Sequence, residues 1–143
     1  MIIKISIFLI FLIILIFFLL YKFYNNSDNI HKVYGKITKT DAEKIKGLMH
    51  RKDKLKYNEG MLFPMDYKHN SMWMKNTHIP LDVIFLDENM RILGYVVDTV
   101  PFSLKSISID KKSNNVLEMN GGSVDKFNKK IGDKIIFIEK DLS

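Results

Sequence analysis

The N-terminal part of the chain is a long apolar run. Residues 5–21 (ISIFLIFLIILIFFLLY) contain one small polar side chain, Ser6, and are flanked by Lys4 and Lys22. A helix rising about 1.5 Å per residue needs about 17–25 residues to cross the hydrocarbon core of a bilayer. The pattern therefore predicts a transmembrane helix within residues 1–24.

A cleaved signal peptide is one alternative interpretation of this run, and a buried helix of a soluble domain is another. The apolar core of a signal peptide would be shorter, about 7–15 residues, and would end at a small-residue cleavage site. Here Tyr21, Phe23 and Tyr24 follow instead, and such aromatic side chains favour a membrane interface. We expect an uncleaved signal-anchor in the cell membrane that crosses once. Because the N-terminal tail is very short, we expect the rest of the chain outside the cytoplasm, joined by a tether at residues 25–32.

Residues 33–141 alternate short apolar runs with turns, which predicts one mainly-β domain. The predicted strands are 33–38, 60–63, 72–75, 81–86, 91–97, 106–109, 116–119 and 134–139. Pro64 is expected to end the second of them. The fourth, LDVIFL, is apolar on both faces except at Asp82, as a central strand should be. Many short strands without a long helix indicate a compact β-sandwich or barrel-like domain.

Two short helices are predicted between these strands. Thr40 and Glu43 have the spacing of a capping box, which predicts a helix over residues 41–49. Its apolar face would consist of Ala42, Ile45, Leu48 and Met49. Ser123 is expected to cap a second helix over residues 124–130.

Composition excludes several classes of function. The chain has a formal charge of +6, but only Arg51 and Arg91 are arginines, and the lysines are scattered among acidic residues. Nucleic-acid binding favours arginine and a focused basic face, so we expect no nucleic-acid partner. The chain has no cysteine, which excludes disulfides, a thiol nucleophile and cysteine-bound metals. No cofactor motif is present, so we expect no cofactor.

Two carboxylates stand among apolar residues. Asp82 is flanked by Leu81 and Val83, and Glu118 precedes a Gly-Gly turn. A buried carboxylate needs a partner, because its uncompensated burial costs several kcal/mol. For Asp82 the candidate partners are Lys75, Arg51 and the amides of Asn76 and Thr77. If the fold brings Asp82 and Glu118 into one cleft, they would form a pair suited to hydrolysis; otherwise their roles are structural or ligand-orienting.

Methionines form the other candidate site. Met61, Met65, Met72 and Met74 lie within 14 residues, with His69 and His78 nearby. Thioether sulfur is a soft ligand that suits Cu(I). Methionine also fills irregular cores, which accounts for the same residues without a metal.

Several segments together resemble a known family. They are KGLMHR (46–51), GMLF (60–63), MWMKNTHIPLD (72–82), LEMNG (117–121) and IGD (131–133). In this order they are similar to the markers of domain of unknown function 192, a family of exported or membrane-tethered prokaryotic proteins. The resemblance covers residues 33–138 and implies a sandwich-like, mainly-β domain of no established activity. The chain departs from many relatives at residues 98–114, where those relatives carry two cysteines and additional prolines.

The leading hypothesis is a membrane-anchored extracytoplasmic binding or structural module, rather than an enzyme, that contacts an unidentified envelope ligand or protein. The alternatives are a copper carrier that uses the methionines and an envelope hydrolase that uses Asp82 and Glu118. The candidate contacts for a ligand or partner are Arg51, Trp73, Lys75, Asn76, Thr77, Asp82, Glu118 and Asn120.

Overall fold

The computed structural model describes the backbone of residues 2–25 and 29–142, and the side chains of residues 7–22 and 29–142. Along the chain these residues form α1 (Ile2–Asn25), β1 (Ile30–Ile37), α2 (Asp41–Lys46), β2 (Glu59–Lys68), β3 (Leu81–Leu86), β4 (Ile92–Val96), β5 (Ser113–Asn120), α3 (Ser123–Lys126) and β6 (Lys134–Glu139).

Helix α1 contains the apolar run, and its described apolar side chains are all exposed, from Ile7 to Tyr21. Over the part of the chain that the structure describes, no helix is long and apolar enough to cross a membrane. The side chains of Lys4, Phe23 and Tyr24 lie outside the described residues, as do residues 26–28 of the predicted tether.

The six strands form one sheet in the order β4-β3-β5-β2-β1-β6. β1 pairs in parallel with β2 and β6, and the remaining neighbours are antiparallel. The two edge strands meet where the Ile92 amide donates to the Asp133 carbonyl (2.9 Å) and the Ile135 amide donates to the Met90 carbonyl (2.9 Å). The sheet is therefore curled into a half-barrel. This confirms the mainly-β, barrel-like class and corrects the two-layer sandwich alternative.

Each face of the sheet packs its own apolar cluster, because successive side chains of a strand point to opposite faces. The inner cluster takes Ile92 and Ile135 from the two edge strands, so it lies inside the curl, and Val124 of α3 joins it. The outer cluster takes Val83, Phe85 and neighbouring strand residues, and loops cover it. β3 contributes to both clusters and is wholly buried, as predicted for a central strand.

Several predicted strand limits were wrong. β1 begins three residues earlier than predicted, and β2 continues through Pro64 to Lys68. Pairing with β1 ends at Leu62. Pro64 has no amide hydrogen, but at this position the β1–β2 ladder does not need one. Residues 72–75 and 106–109 form no strands; they meet in a single antiparallel bridge between Met72 and Ile107.

The helix predictions were partly correct. The capping box at Thr40 and Glu43 is present, but α2 ends at Lys46 and buries none of its residues. Gly47, at a φ of +46°, ends the helix. α3 is only four residues long and has Gly122 at its N-cap, so Ser123 does not cap it.

Candidate functional site

A pocket of about 310 Å³ opens on the outer face of the sheet, between α2, the sheet and the segments near residues 71–77 and 104–106. Its buried lining residues, which we call the pocket floor, are Leu48, Phe63, Thr77 and Glu118. Half-buried Lys44, Met49, Met65 and Met72 form its wall. Its exposed edge, which we call the pocket rim, includes Ile45, Lys46, Trp73, Lys75 and Leu104.

Glu118 provides the carboxyl group of the pocket floor. It lies on β5 opposite Val83 of β3 and Met61 of β2, and only 4% of it is exposed. Within the described part of the chain, no donor or cation is paired with this carboxyl group. Burial raises the pKa of Glu118 to about 8. At neutral pH the group is therefore mainly protonated and can donate a hydrogen bond as well as accept one.

The other side chains that line the pocket are apolar or basic, except for the hydroxyl groups of Ser71, Thr77 and Ser106. Lys44, Lys46 and Lys75 line it, and among the described lining residues Glu118 is the single acid. The Lys75 ammonium lies 5.1 Å from the centre of the Trp73 ring, which holds both side chains at the rim. A lysine-bearing rim above a neutral acid attracts an anion.

Local chain geometry builds this site. The Thr40 hydroxyl accepts from the Glu43 amide (3.2 Å), which fixes the start of α2 and places Lys44 in its last turn. Contacts of the Glu43 side chain with Lys36 and with the Lys39 amide lower the pKa of Glu43 to about 2. A Cβ at Gly47 would come within 3.3 Å of the Phe63 ring, so the chain can pass close to the pocket floor there.

The segment that carries Trp73 and Lys75 is held from the other side. The amides of Met72 and Ile107 each donate to the other residue's carbonyl at 2.9 Å, and the Met74 amide donates to Ser103 at 2.9 Å. Because of this pairing, successive side chains of the segment still point in alternate directions, as in a strand, although no strand forms. Met74 is buried in the core, and the side chains of Trp73 and Lys75 point outward.

Of the eight predicted contact residues, the structure brings together four at the pocket: Trp73, Lys75, Thr77 and Glu118. Asn120 instead exchanges two hydrogen bonds with the Leu55 backbone (2.9 and 2.7 Å). Asn76 takes a positive φ of 52° and its carbonyl accepts from the His50 amide. The Arg51 guanidinium donates to the Asp53 carbonyl (2.9 Å).

Asp82 lies on the opposite face of the sheet from Glu118. Its neighbour Val83 is the cross-strand partner of Glu118, so the Asp82 side chain points into the curl. There it accepts from the amides of Asp98 (2.8 Å), Gly122 (3.1 Å) and Val124 (2.7 Å). The two carboxyl groups share no cleft, and the partners predicted for Asp82 were wrong. Asp82 and Glu118 therefore do not form the carboxylate pair that hydrolysis would need.

Lys129 is a buried group that the sequence analysis missed. It is 3% exposed, and among the described residues its ammonium has no hydrogen-bond partner. Its nitrogen lies 4.0 Å from the centre of the Phe127 ring. Burial lowers the pKa of Lys129 to about 8, and the charges of Asp82 and Asp133 partly oppose this shift. Its sequence neighbours, Asn128 and Lys130, are both polar, so the sequence does not distinguish this lysine from an exposed one.

The four predicted methionines separate into two sets. Met61 and Met74 belong to the outer cluster, and the Met74 sulfur accepts from the Thr99 hydroxyl (3.1 Å). Met65 and Met72 line the pocket, where Met49 joins them. Among the described residues no group of three His, Asp or Glu side chains is placed to hold a metal ion.

The sequence analysis also missed Lys44, Lys46 and Met49 as pocket residues. Two of them lie in the family-like segment at 46–51, which was the available signal. Their pocket contacts depend on where α2 packs against the sheet, and helix periodicity does not specify that.

Comparisons with known proteins agree with this fold. Residues 23–137 match the DUF192 family, described as "Uncharacterized ACR". A crystal structure of a protein of unknown function from Novosphingobium aromaticivorans is 34% identical, with a TM-score of 0.63, covering 73% of this chain and 71% of that one. A proposed transcription regulator from Sinorhizobium meliloti is 29% identical, with a TM-score of 0.64, covering 73% of this chain and 78% of that one. Among curated proteins, none matches significantly.

Proposed function

This chain belongs to the uncharacterised family DUF192, and from its own site we propose that it is a membrane-anchored, extracytoplasmic binding module. Its ligand is a small organic anion with an apolar body, taken up in the Glu118 pocket. The observation that carries this proposal is the unpaired carboxyl group of Glu118 at the pocket floor. A buried polar group without a partner is unfavourable in the empty protein, so a ligand that completes its hydrogen bonding is favoured.

The chemistry of the pocket indicates the class of ligand. Its volume of about 310 Å³ is at the lower end for small-molecule sites. Phe63 and the wall methionines suit an apolar body, while Lys46 and Lys75 at the rim suit an anionic group. A carbonyl or hydroxyl at the far end of the ligand would then bond the protonated Glu118.

Binding can be measured through Trp73, the single tryptophan of the chain, which lies at the rim. The full chain in detergent micelles is titrated with hexanoate and with ω-hydroxyhexanoate, which adds a hydroxyl at the far end. We expect the hydroxylated acid to bind about tenfold more tightly, the usual scale of one buried hydrogen bond. The neutral ω-hydroxyhexanamide should bind more weakly than either acid, because it lacks the charge that the lysines attract.

The matched variants are Glu118→Leu and Glu88→Leu, the latter at an exposed turn. Glu118→Leu should abolish the preference for the hydroxylated acid, and Glu88→Leu should retain it. The proposal is contradicted if no probe binds, or if Glu118→Leu binds both acids as the wild type does.

The apolar run at residues 5–21 supports the membrane anchor, since 17 residues between Lys4 and Lys22 reach the minimum for a crossing. Full-length protein should stay in the membrane fraction after alkaline carbonate washing. Protease added to intact cells stripped of their outer layers should digest the β domain. Release by carbonate, or a domain protected in intact cells and cleaved only after lysis, would contradict the anchor or its orientation.

A copper carrier is a second candidate, because Met49, Met65 and Met72 line one pocket. Three thioethers are a ligand set that Cu(I) accepts. In a competition titration against a Cu(I) chelator, the full chain should compete, and Met49→Leu with Met72→Leu should remove the competition. Met90→Leu, away from the pocket, is the control. No competition by the wild type rejects this candidate.

A further inference from the structure

An exposed apolar surface surrounds the pocket rim. Five side chains form it, each between 47% and 70% exposed: Ile45, Trp73, Val100, Phe102 and Leu104. We call this set the rim surface. Scattered single apolar residues are normal on a protein surface, but a group of large ones beside a pocket marks an interaction site.

Backbone hydrogen bonds make the rim surface continuous. The Phe102 amide donates to the Thr77 carbonyl (3.1 Å) and the Met74 amide donates to the Ser103 carbonyl (2.9 Å), so the loop around Phe102 lies against the segment that carries Trp73. Ile45, Trp73 and Leu104 all line the same pocket. Val100 lies in the same turn as Phe102, because the Ser103 amide donates to the Val100 carbonyl (3.3 Å). The loop that carries Val100, Phe102 and Leu104 therefore lies beside the pocket rim.

The charge around this patch is mostly of one sign. Lys44, Lys46 and Lys75 line the pocket, and the exposed Lys105 directly follows Leu104 in the chain. Asp98 and Asp110 are the acidic residues of the loop between β4 and β5. Exposed apolar side chains, an indole and clustered lysines are the combination that adsorbs to an anionic lipid surface, because the apolar groups enter the interface while the ammonium groups stay at the headgroups.

We propose that the rim surface docks onto an anionic lipid bilayer, so that the pocket opens at the headgroup level. Charge complementarity favours this occupant over a second copy of the chain, since two copies would bring the same lysines together. The inference goes beyond ligand binding, because Val100 and Phe102 belong to the rim surface and do not line the pocket.

Trp73 reports docking directly. Full-length chain is reconstituted into vesicles of phosphatidylcholine alone and into equimolar phosphatidylcholine and phosphatidylglycerol. Lipids brominated near the headgroup end of the acyl chain serve as contact quenchers. We expect Trp73 emission to shift to shorter wavelength and to be quenched in the anionic vesicles, and salt to reverse both effects.

Charge variants test the electrostatic part. Lys46→Gln with Lys75→Gln should lower the ratio of docked to undocked domains about fivefold for each lysine removed, the usual effect of one lysine at an anionic surface. Lys56→Gln with Lys130→Gln removes the same charge from exposed positions away from the rim surface and should leave the ratio unchanged.

Val100→Ser separates docking from ligand binding. It should reduce Trp73 quenching by lipid and leave the affinity for ω-hydroxyhexanoate unchanged, whereas Ile131→Ser, at a 62% exposed control position, should change neither. Equal quenching in both kinds of vesicle overturns the proposal. So does shielding of Trp73 from an aqueous quencher without quenching by brominated lipid, because a protein contact would then cover the surface. Neither result bears on whether the Glu118 pocket binds its anion.

Discussion

Glu118 and Asp82 lie on neighbouring strands of the sheet, yet their carboxyl groups meet different surroundings. Asp82 accepts hydrogen bonds from three backbone amides in the interior. Glu118 has no such donors among the described residues, and its burial raises its pKa and favours its protonated form. The first group therefore holds chain segments together, and the second is available to a ligand.

The raised pKa of Glu118 makes stability depend on pH. The folded protein keeps the proton up to about pH 8, while the unfolded chain releases it near 4.5. Between these values the native state binds more protons at Glu118, so the contribution of this group to stability is complete below 4.5 and is lost as pH rises to about 8. The slope is at most about 1.4 kcal/mol per pH unit, or about 4–5 kcal/mol over the whole window.

Urea unfolding of the full chain in micelles across this window should show the decline, and Glu118→Gln should remove it. The exposed Glu88→Gln should leave it unchanged. An identical pH slope in wild type and Glu118→Gln would contradict the assignment.

Replacing Asp82 by asparagine should destabilise the domain by about 3 kcal/mol, because an amide offers one acceptor oxygen and turns an NH₂ group towards a backbone donor. The lost contacts tie β3 to the start of α3, as the 2.7 Å bond from the Val124 amide shows. Urea unfolding measures the loss, with the exposed Asp110→Asn as control. Ligand affinity should not change, because Asp82 faces away from the pocket; a loss of binding without a loss of stability would contradict this role.

At the level of elements, the packing of β1 against β2 depends on two facing glycines. Gly35 has a φ of +152°, and a Cβ there would overlap the Gly60 carbonyl oxygen. Gly35 and Gly60 are register partners in the parallel pair, so neither strand can move away without losing its ladder.

Gly35→Ala should therefore destabilise the domain by about 3 kcal/mol or more, since the clash is with backbone rather than with a flexible side chain. Gly122→Ala is the matched control: it has a positive φ of 84° but open space around it, so only about 1–2 kcal/mol of strain is expected. Urea unfolding compares them. Equal losses in the two variants would show that conformation, and not the close approach, decides the effect.

Local signals in the sequence predicted elements whose causes are local. The capping box of α2 and the buried run of β3 both depend on neighbouring residues, and both are present. Pro64 was wrongly predicted to end a strand. A strand can contain a proline where no neighbouring strand needs its amide, and this depends on where β1 stops pairing with β2. The separation of Asp82 from Glu118 depends on the β3–β5 register, which joins residues about 36 positions apart. Spacing along the chain does not specify such a register.

For the whole molecule, the curl of the sheet separates the inner core from the pocket. The inner cluster fills the half-barrel and includes the edge strands, while the pocket lies on the outer face. The proposed ligand would therefore reach the pocket without opening of the half-barrel. Closure depends on the few hydrogen bonds between β4 and β6, together with the turn at Asp133.

The Asp133 side chain supports this closure indirectly, by fixing the turn that precedes β6 and tying it to β1. Its carboxylate accepts from the Lys130 amide (2.9 Å) and pairs with the His31 ring (2.8 Å), while its carbonyl receives the Ile92 amide. Asp133→Ala should lower the free energy of local opening at this turn by about 1–2 kcal/mol. That corresponds to roughly 5–30-fold faster hydrogen exchange at the Ile92 and Ile135 amides.

The central strand should respond differently if closure is a separate local unit. We expect the amides of β3 to exchange only through global unfolding. Asp133→Ala should therefore accelerate their hydrogen exchange less than that of the Ile92 and Ile135 amides. NMR-detected exchange on the full chain measures both sets, with the exposed Asp125→Ala as control. Equal acceleration of both sets would mean that β4 and β6 separate only when the whole sheet unfolds. In that case the half-barrel would unfold as a single cooperative unit, although only a few hydrogen bonds join β4 to β6.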